Sequence, residues 1–88
     1  MKEKIYIIKT YPDCYKIGIS FNPEQRIITL QTANPFKLKI ILEKEVNDAF
    51  KIEQTIHEAF KEKRLEGEWF SLTDDELKTI VDYLNQHC

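Results

Sequence analysis

A few side chains in this 88-residue sequence have the types and spacing to do chemistry. Glu53 and His57 stand four residues apart on a segment with helical periodicity, so carboxylate and imidazole share one shoulder of the helix. Such a pair can begin a metal site. No cysteine or further histidine is spaced to complete a zinc set, so zinc is not read here, and the alternative for Glu53 is a boundary residue at the margin of an apolar face. Arg26 falls in the first turn of another predicted helix, where a cation opposes the helix dipole. Its planar fork of donors suits a phosphate; the alternative is plain solvation or a pair with an acidic neighbour. Gly18 interrupts a strand-like run, which points either to a group approaching the backbone closely or to a bulge or strand end.

The charge is uneven. The net formal charge of -2 argues against indiscriminate nucleic-acid binding, yet residues 1–44 hold eight Lys and Arg against four Asp and Glu, and residues 45–88 hold five against eleven. Duplex binding needs a local basic surface, so the first half is the candidate DNA-facing side, against the alternative of a mixed solvated surface.

The elements that must position these residues begin with Ile5 to Ile19, two apolar runs around a turn. Ile5, Tyr6, Ile7 and Ile8 read as a strand buried on both faces. Pro12 and Asp13 carry the turn between Lys9 and Cys14. On the returning strand Cys14, Lys16 and Gly18 point one way and Tyr15, Ile17 and Ile19 the other. Asn22-Pro23-Glu24-Gln25 predicts a helix start with a capping box, running to about Thr32 with Ile27 and Leu30 inward. Phe36 to Lys44 predicts a third strand with Phe36, Leu38, Ile40 and Leu42 on one face. Asn47 or Asp48 is expected to cap a second helix reaching about Glu62, with Ala49, Ile52, Ile56, Ala59 and Phe60 as its apolar stripe.

The charged segment from Lys61 to Glu68 turns at Gly67, and Trp69-Phe70 follows as a short strand or anchor in which Trp69 is expected to pack in the core. Thr73-Asp74-Asp75-Glu76 forms a capping box with Leu72 and Leu77 as its hydrophobic staple, and Leu77, Ile80, Val81 and Leu84 then recur at helical spacing. The predicted fold is α+β: a small three-stranded antiparallel sheet, with room for a short fourth strand, flanked by three helices in the order ββαβα(β)α. One domain is expected over residues 1–88, since a chain this short buries one modest core. No apolar run approaches the ~20 residues of a membrane helix, and the apolar run in MKEKIYIIK is too short for a signal peptide, so a cytoplasmic protein is expected. Cys14 and Cys88 make no disulfide framework, which agrees with a reducing compartment.

The ordered series IYII, YKIG at residues 15–18, S-x-x-P-x-x-R, E-x-x-x-H-x-x-F and G-E-W-F resembles the GIY-YIG endonuclease superfamily from about Tyr6 to Phe70. The T5orf172 and MUG113-like branch is the most similar. The resemblance implies DNA as partner and hydrolysis of a phosphodiester with one divalent cation, Mg²⁺ or Mn²⁺. It makes Tyr6 the general base or its hydrogen-bond partner, Arg26 the phosphate clamp, and Glu53 the metal-binding carboxylate, with waters in the other positions. Two positions depart from the pattern. The second tyrosine of the superfamily's name falls on Lys16, which could bind a phosphate or lower the pKa of Tyr6, and the histidine frequent one turn after the arginine is Leu30. Lys16, Arg26, Lys37 and Lys39 are the expected phosphate contacts on DNA. The competing expectation is the same fold kept as a DNA-binding or protein-interaction module that does not cut.

Overall fold

The computed structural model describes residues 2–86. Strands β1 (Lys4–Thr10) and β2 (Cys14–Ser20) form the central hairpin, followed by α1 (Pro23–Gln31), β3 (Lys39–Glu45), α2 (Ala49–Ala59), a 3-10 turn (Lys61–Lys63), β4 (Trp69–Ser71) and α3 (Asp74–Gln86). The four strands form an antiparallel sheet in the order β3-β1-β2-β4. The hairpin is therefore interior, which explains the unbroken apolar run of β1: both its faces are covered.

Alternation along the strands divides two cores. Ile5, Ile7, Tyr15, Ile17 and Phe70 meet Ile52 and Ile56 of α2 and Ile80 and Leu84 of α3 in the larger cluster. Tyr6, Ile8 and Leu38 face the other way, against Ile27 and Leu30 of α1 and against Trp69. The functional candidates Tyr6, Lys16 and Gly18 share this second face, as the period of two requires.

The helix starts follow local chemistry. Asn22 Oδ1 accepts the backbone N–H of Gln25 at 3.2 Å, with Pro23 in the first turn. The return bond of a capping box is absent there, because the Asn22 N–H donates instead to Ser20 Oγ. At α3 the box closes both ways: Thr73 N–H donates to Glu76 Oε1 at 2.9 Å and Glu76 N–H to Thr73 Oγ1 at 3.2 Å. Leu72 and Leu77 both pack into the larger cluster, completing the staple.

Three expectations are corrected. The third strand begins at Lys39, leaving Phe36 49% exposed and stacked on Tyr11 at 5.6 Å between ring centroids. A register shift between Ile7 and Ile8 opposes them to Leu42 and Ile40, so Ile41 is bulged and Ile40 and Leu42 face different cores. The second helix ends at Ala59, which is exposed; Phe60 leaves helical geometry to pack on the larger cluster, and 3-10 bonds such as Lys63 N–H to Phe60 O at 2.9 Å take over. At its start Asp48 occupies the cap position in left-handed geometry without a side-chain capping bond. Trp69 packs on the smaller core as expected but is only half-buried, and the fully buried aromatic of β4 is Phe70, which alternation sends to the larger core. Cys14 is a half-buried free thiol, and Cys88 lies outside the described residues.

Candidate functional site

The hairpin register sets Tyr6 opposite Gly18 with no irregularity at that step. A Cβ on Gly18 would lie 2.6 Å from the Tyr6 hydroxyl, 2.8 Å from its Cζ and 3.1 Å from Glu68 Oε1. This decides between the two readings of the glycine: its backbone is approached closely, and the approaching groups are a phenol and a carboxylate.

Two residues along the same face, Lys16 is buried and its ammonium lies 3.0 Å from Glu68 Oε1 and 5.7 Å from the centroid of the Trp69 ring. Glu68 is delivered by a tight turn. Leu65 N–H donates to Trp69 O at 2.8 Å, Trp69 N–H to Glu66 O at 3.0 Å, and Gly67 between them has φ of 59°, where a side chain would be strained. Ile17 N–H then donates to Glu68 O at 3.2 Å, extending the β2–β4 ladder by one bond.

From α1 comes Arg26, whose guanidinium bears on the Tyr6 hydroxyl and favours its phenolate, while burial of the phenol opposes ionisation. Burial is the larger effect, and with the Glu68 charge it holds the Tyr6 pKa above the usual phenol value, so the hydroxyl is neutral at neutral pH. Arg26 itself is exposed at the helix start.

From α2 comes Glu53, only 4% exposed. Its Oε1 accepts from Gln54 Nε2 at 3.3 Å, while Oε2 is buried with no hydrogen-bond partner. Burial first, then the neighbouring Glu68 charge, pushes its pKa above the ordinary carboxylate range, against the opposing influence of His57. His57 Nε2 lies 2.9 Å from the Ile17 carbonyl, which can only accept, so this nitrogen carries the proton. Its ring also stands edge-on to Phe70 at 5.0 Å between centroids. The imidazole thus ties α2 to β2 beyond the end of β4.

The structure brings Tyr6, Lys16, Arg26 and Glu53 into one cluster, with Glu68 in its middle. It does not bring Lys37 and Lys39 there. Both are exposed; Lys39 pairs with Lys9 on the sheet face away from Tyr6, and Lys37 lies before β3, its carbonyl accepting from Thr10 Oγ1. No three of the described His, Cys, Asp and Glu residues come together to hold a metal ion. The orphaned Glu53 oxygen nevertheless fits a hard cation, because Mg²⁺ takes one or two carboxylates and keeps its waters.

The chain matches the T5orf172 domain over residues 3–85. It belongs to the T5orf172 family. Neither the curated proteins nor the solved structures contain a match. In this T5orf172 domain the residue that sequence reasoning passed over is Glu68. Its only signal was its place in Gly67-Glu68-Trp69-Phe70, since the charged run before it reads locally as solvated surface. The match covers every element from β1 to nearly the end of α3, so all five clustered residues lie inside the family's domain.

Proposed function

We propose that this T5orf172 domain is a divalent-cation-dependent DNA endonuclease of the GIY-YIG type. The observation that carries the reading is the unpartnered, buried oxygen of Glu53 beside the Tyr6–Arg26 pair. An uncompensated carboxylate near a core is costly, and a cation ligand is a reason to keep one. A divalent cation on Glu53 would neutralise charge on the phosphate and the leaving oxygen and acidify a bound water.

The side chains supply the rest. Arg26, exposed and already aimed at Tyr6, donates to phosphate oxygens and stabilises charge that develops on them. Tyr6, neutral at neutral pH, acts first by hydrogen bonding, holding the attacking water or the phosphate in line; its phenolate becomes accessible only with added positive charge nearby. Lys16 is the further cation of the face, and it takes the position of the superfamily's second tyrosine. Lys37 would extend DNA contacts toward the β3 edge, whereas Lys39 lies on the opposite sheet face.

A second reading, a DNA-binding module that does not cut, draws support from the Lys16–Glu68 ion pair, which already engages both groups. Incubation with plasmid and with branched DNA, with and without Mg²⁺ or Mn²⁺, separates the two. Cation-dependent nicking or cleavage is the expected result; retention of DNA with every substrate intact under all conditions contradicts the nuclease reading.

A further inference from the structure

Glu53 is not the only carboxylate at this place. The Glu68 charge bears on both Glu53 and Tyr6, and its Oε1 lies 3.1 Å from the position a Gly18 Cβ would take, which the Tyr6 hydroxyl approaches to 2.6 Å. The two come from unrelated elements, Glu53 from α2 and Glu68 from the turn before β4. Among the described residues the Lys16 ammonium is ion-paired with Glu68 at 3.0 Å, while Glu53 Oε2 has no hydrogen-bond partner. A single ammonium therefore balances one of two adjacent carboxylates, and the one it leaves is the more deeply buried.

Resting on the cation-dependent reading above, we infer that Glu68 is the second carboxylate of the cation site on Glu53, and that the Lys16 ammonium holds Glu68 until a divalent cation displaces it. The backbone of Glu68 is held by the bond from Ile17 N–H and its side chain is 36% exposed, so the exchange asks only this side chain to turn from Lys16 toward Glu53. Two carboxylates with waters in the remaining positions form a donor set for a small hard cation, so no third protein ligand is required. The displaced ammonium stays on the face of Tyr6 and Gly18, available to a phosphate oxygen. The clearance above Gly18 has the same explanation, because any side chain there would press on both Tyr6 and Glu68.

The test is binding of Mn²⁺ alone, without DNA, followed by loss of the free-ion paramagnetic resonance signal, with circular dichroism as a check on folding. Glu68→Gln is expected to weaken Mn²⁺ binding roughly tenfold or more, the scale of losing a partner at a metal site. Lys16→Met is expected to tighten it, since a competing charge is removed, which a merely structural role for Lys16 would not produce. If Glu68→Gln leaves Lys16 unpaired and unfolds the chain, the double variant Lys16→Met/Glu68→Gln removes both charges together and is expected to fold and to bind Mn²⁺ at least roughly tenfold more weakly than Lys16→Met. Parental affinity in Glu68→Gln, with loss only in Glu53→Gln, would overturn the role of Glu68 and leave the Glu53 reading standing. Unchanged or weaker binding in Lys16→Met would overturn the displacement. No binding by the parent chain would overturn both readings at once.

Discussion

The Tyr6 hydroxyl occupies the space that a side chain on Gly18 would need, 2.6 Å from the position of its Cβ. Contacts under 3.0 Å force a shift, and the atoms concerned belong to a fully buried ring rather than a flexible chain end. Gly18→Ala is therefore expected to cost about 1–3 kcal/mol, as overpacking does, and to displace the phenol from Arg26. Thermal unfolding and cleavage assays check it: a folded protein with an activity loss matching Tyr6→Phe is the expected outcome, and parental stability with parental activity would contradict it.

Adjacent aromatics on β4 have different work. Phe70, fully buried in the larger core, is expected to cost ~3–5 kcal/mol on replacement by Ala. Trp69 is half-exposed on the site face, so Trp69→Ala should cost less than Phe70→Ala and should loosen the Lys16 ammonium that lies over its ring. Urea denaturation of both variants decides the order, and equal destabilisation would give Trp69 the same weight in packing as Phe70.

Binding to DNA should depend on the face of Tyr6 and α1. Arg26→Ala is expected to weaken binding and flatten the dependence of log K on log salt by about 0.9. Lys78, paired with Asp82 on α3, should do neither when changed to Ala. Lys37→Ala is expected to have an intermediate effect and Lys39→Ala a small one, since Lys39 sits on the opposite sheet face. Salt titrations of binding that show Lys78→Ala equal to Arg26→Ala would remove the interface from this face.

Acid should weaken the start of α3. The Thr73 backbone N–H, against a smaller burial effect, holds the Glu76 pKa below the ordinary carboxylate value. A folded-state pKa below the unfolded one contributes stability above the unfolded value, and that contribution is lost as pH falls through the folded value. The melting-temperature difference between the parent and Glu76→Gln is therefore expected at neutral pH and should vanish in acid. A difference that persists or grows at low pH would contradict the assignment.

How much of this was legible in the sequence depends on the range of the interaction involved. The hairpin, the capping box of Thr73 and Glu76 and the stripe of α3 are set by neighbours within a few residues, and each formed as its pattern predicted. The bulge at Ile41 was not legible, because the alternation in Lys37 to Leu42 looks the same with or without a slip against β1. Trp69 and Phe70 could not be sorted between faces until the register with β2 was known. Glu68 shows the limit most clearly: its partner Lys16 is distant in sequence, and only its place in Gly67-Glu68-Trp69-Phe70 sets it apart from Glu62 or Glu66. Tyr6, Arg26 and Glu53 came from the family resemblance, while residue types alone left Arg26 and Glu53 with two readings each.

The central claim is that Glu53 is kept buried and unpaired in order to hold a cation that cuts DNA. Glu53→Gln preserves shape and hydrogen-bonding capacity while removing the anionic charge. Side-by-side assays of the parent and this variant on plasmid and branched DNA, in Mg²⁺ or Mn²⁺, test it directly. The account predicts cation-dependent cleavage by the parent and a loss of orders of magnitude in the variant, with fold and DNA binding retained. Cleavage by Glu53→Gln at the parental rate would contradict it.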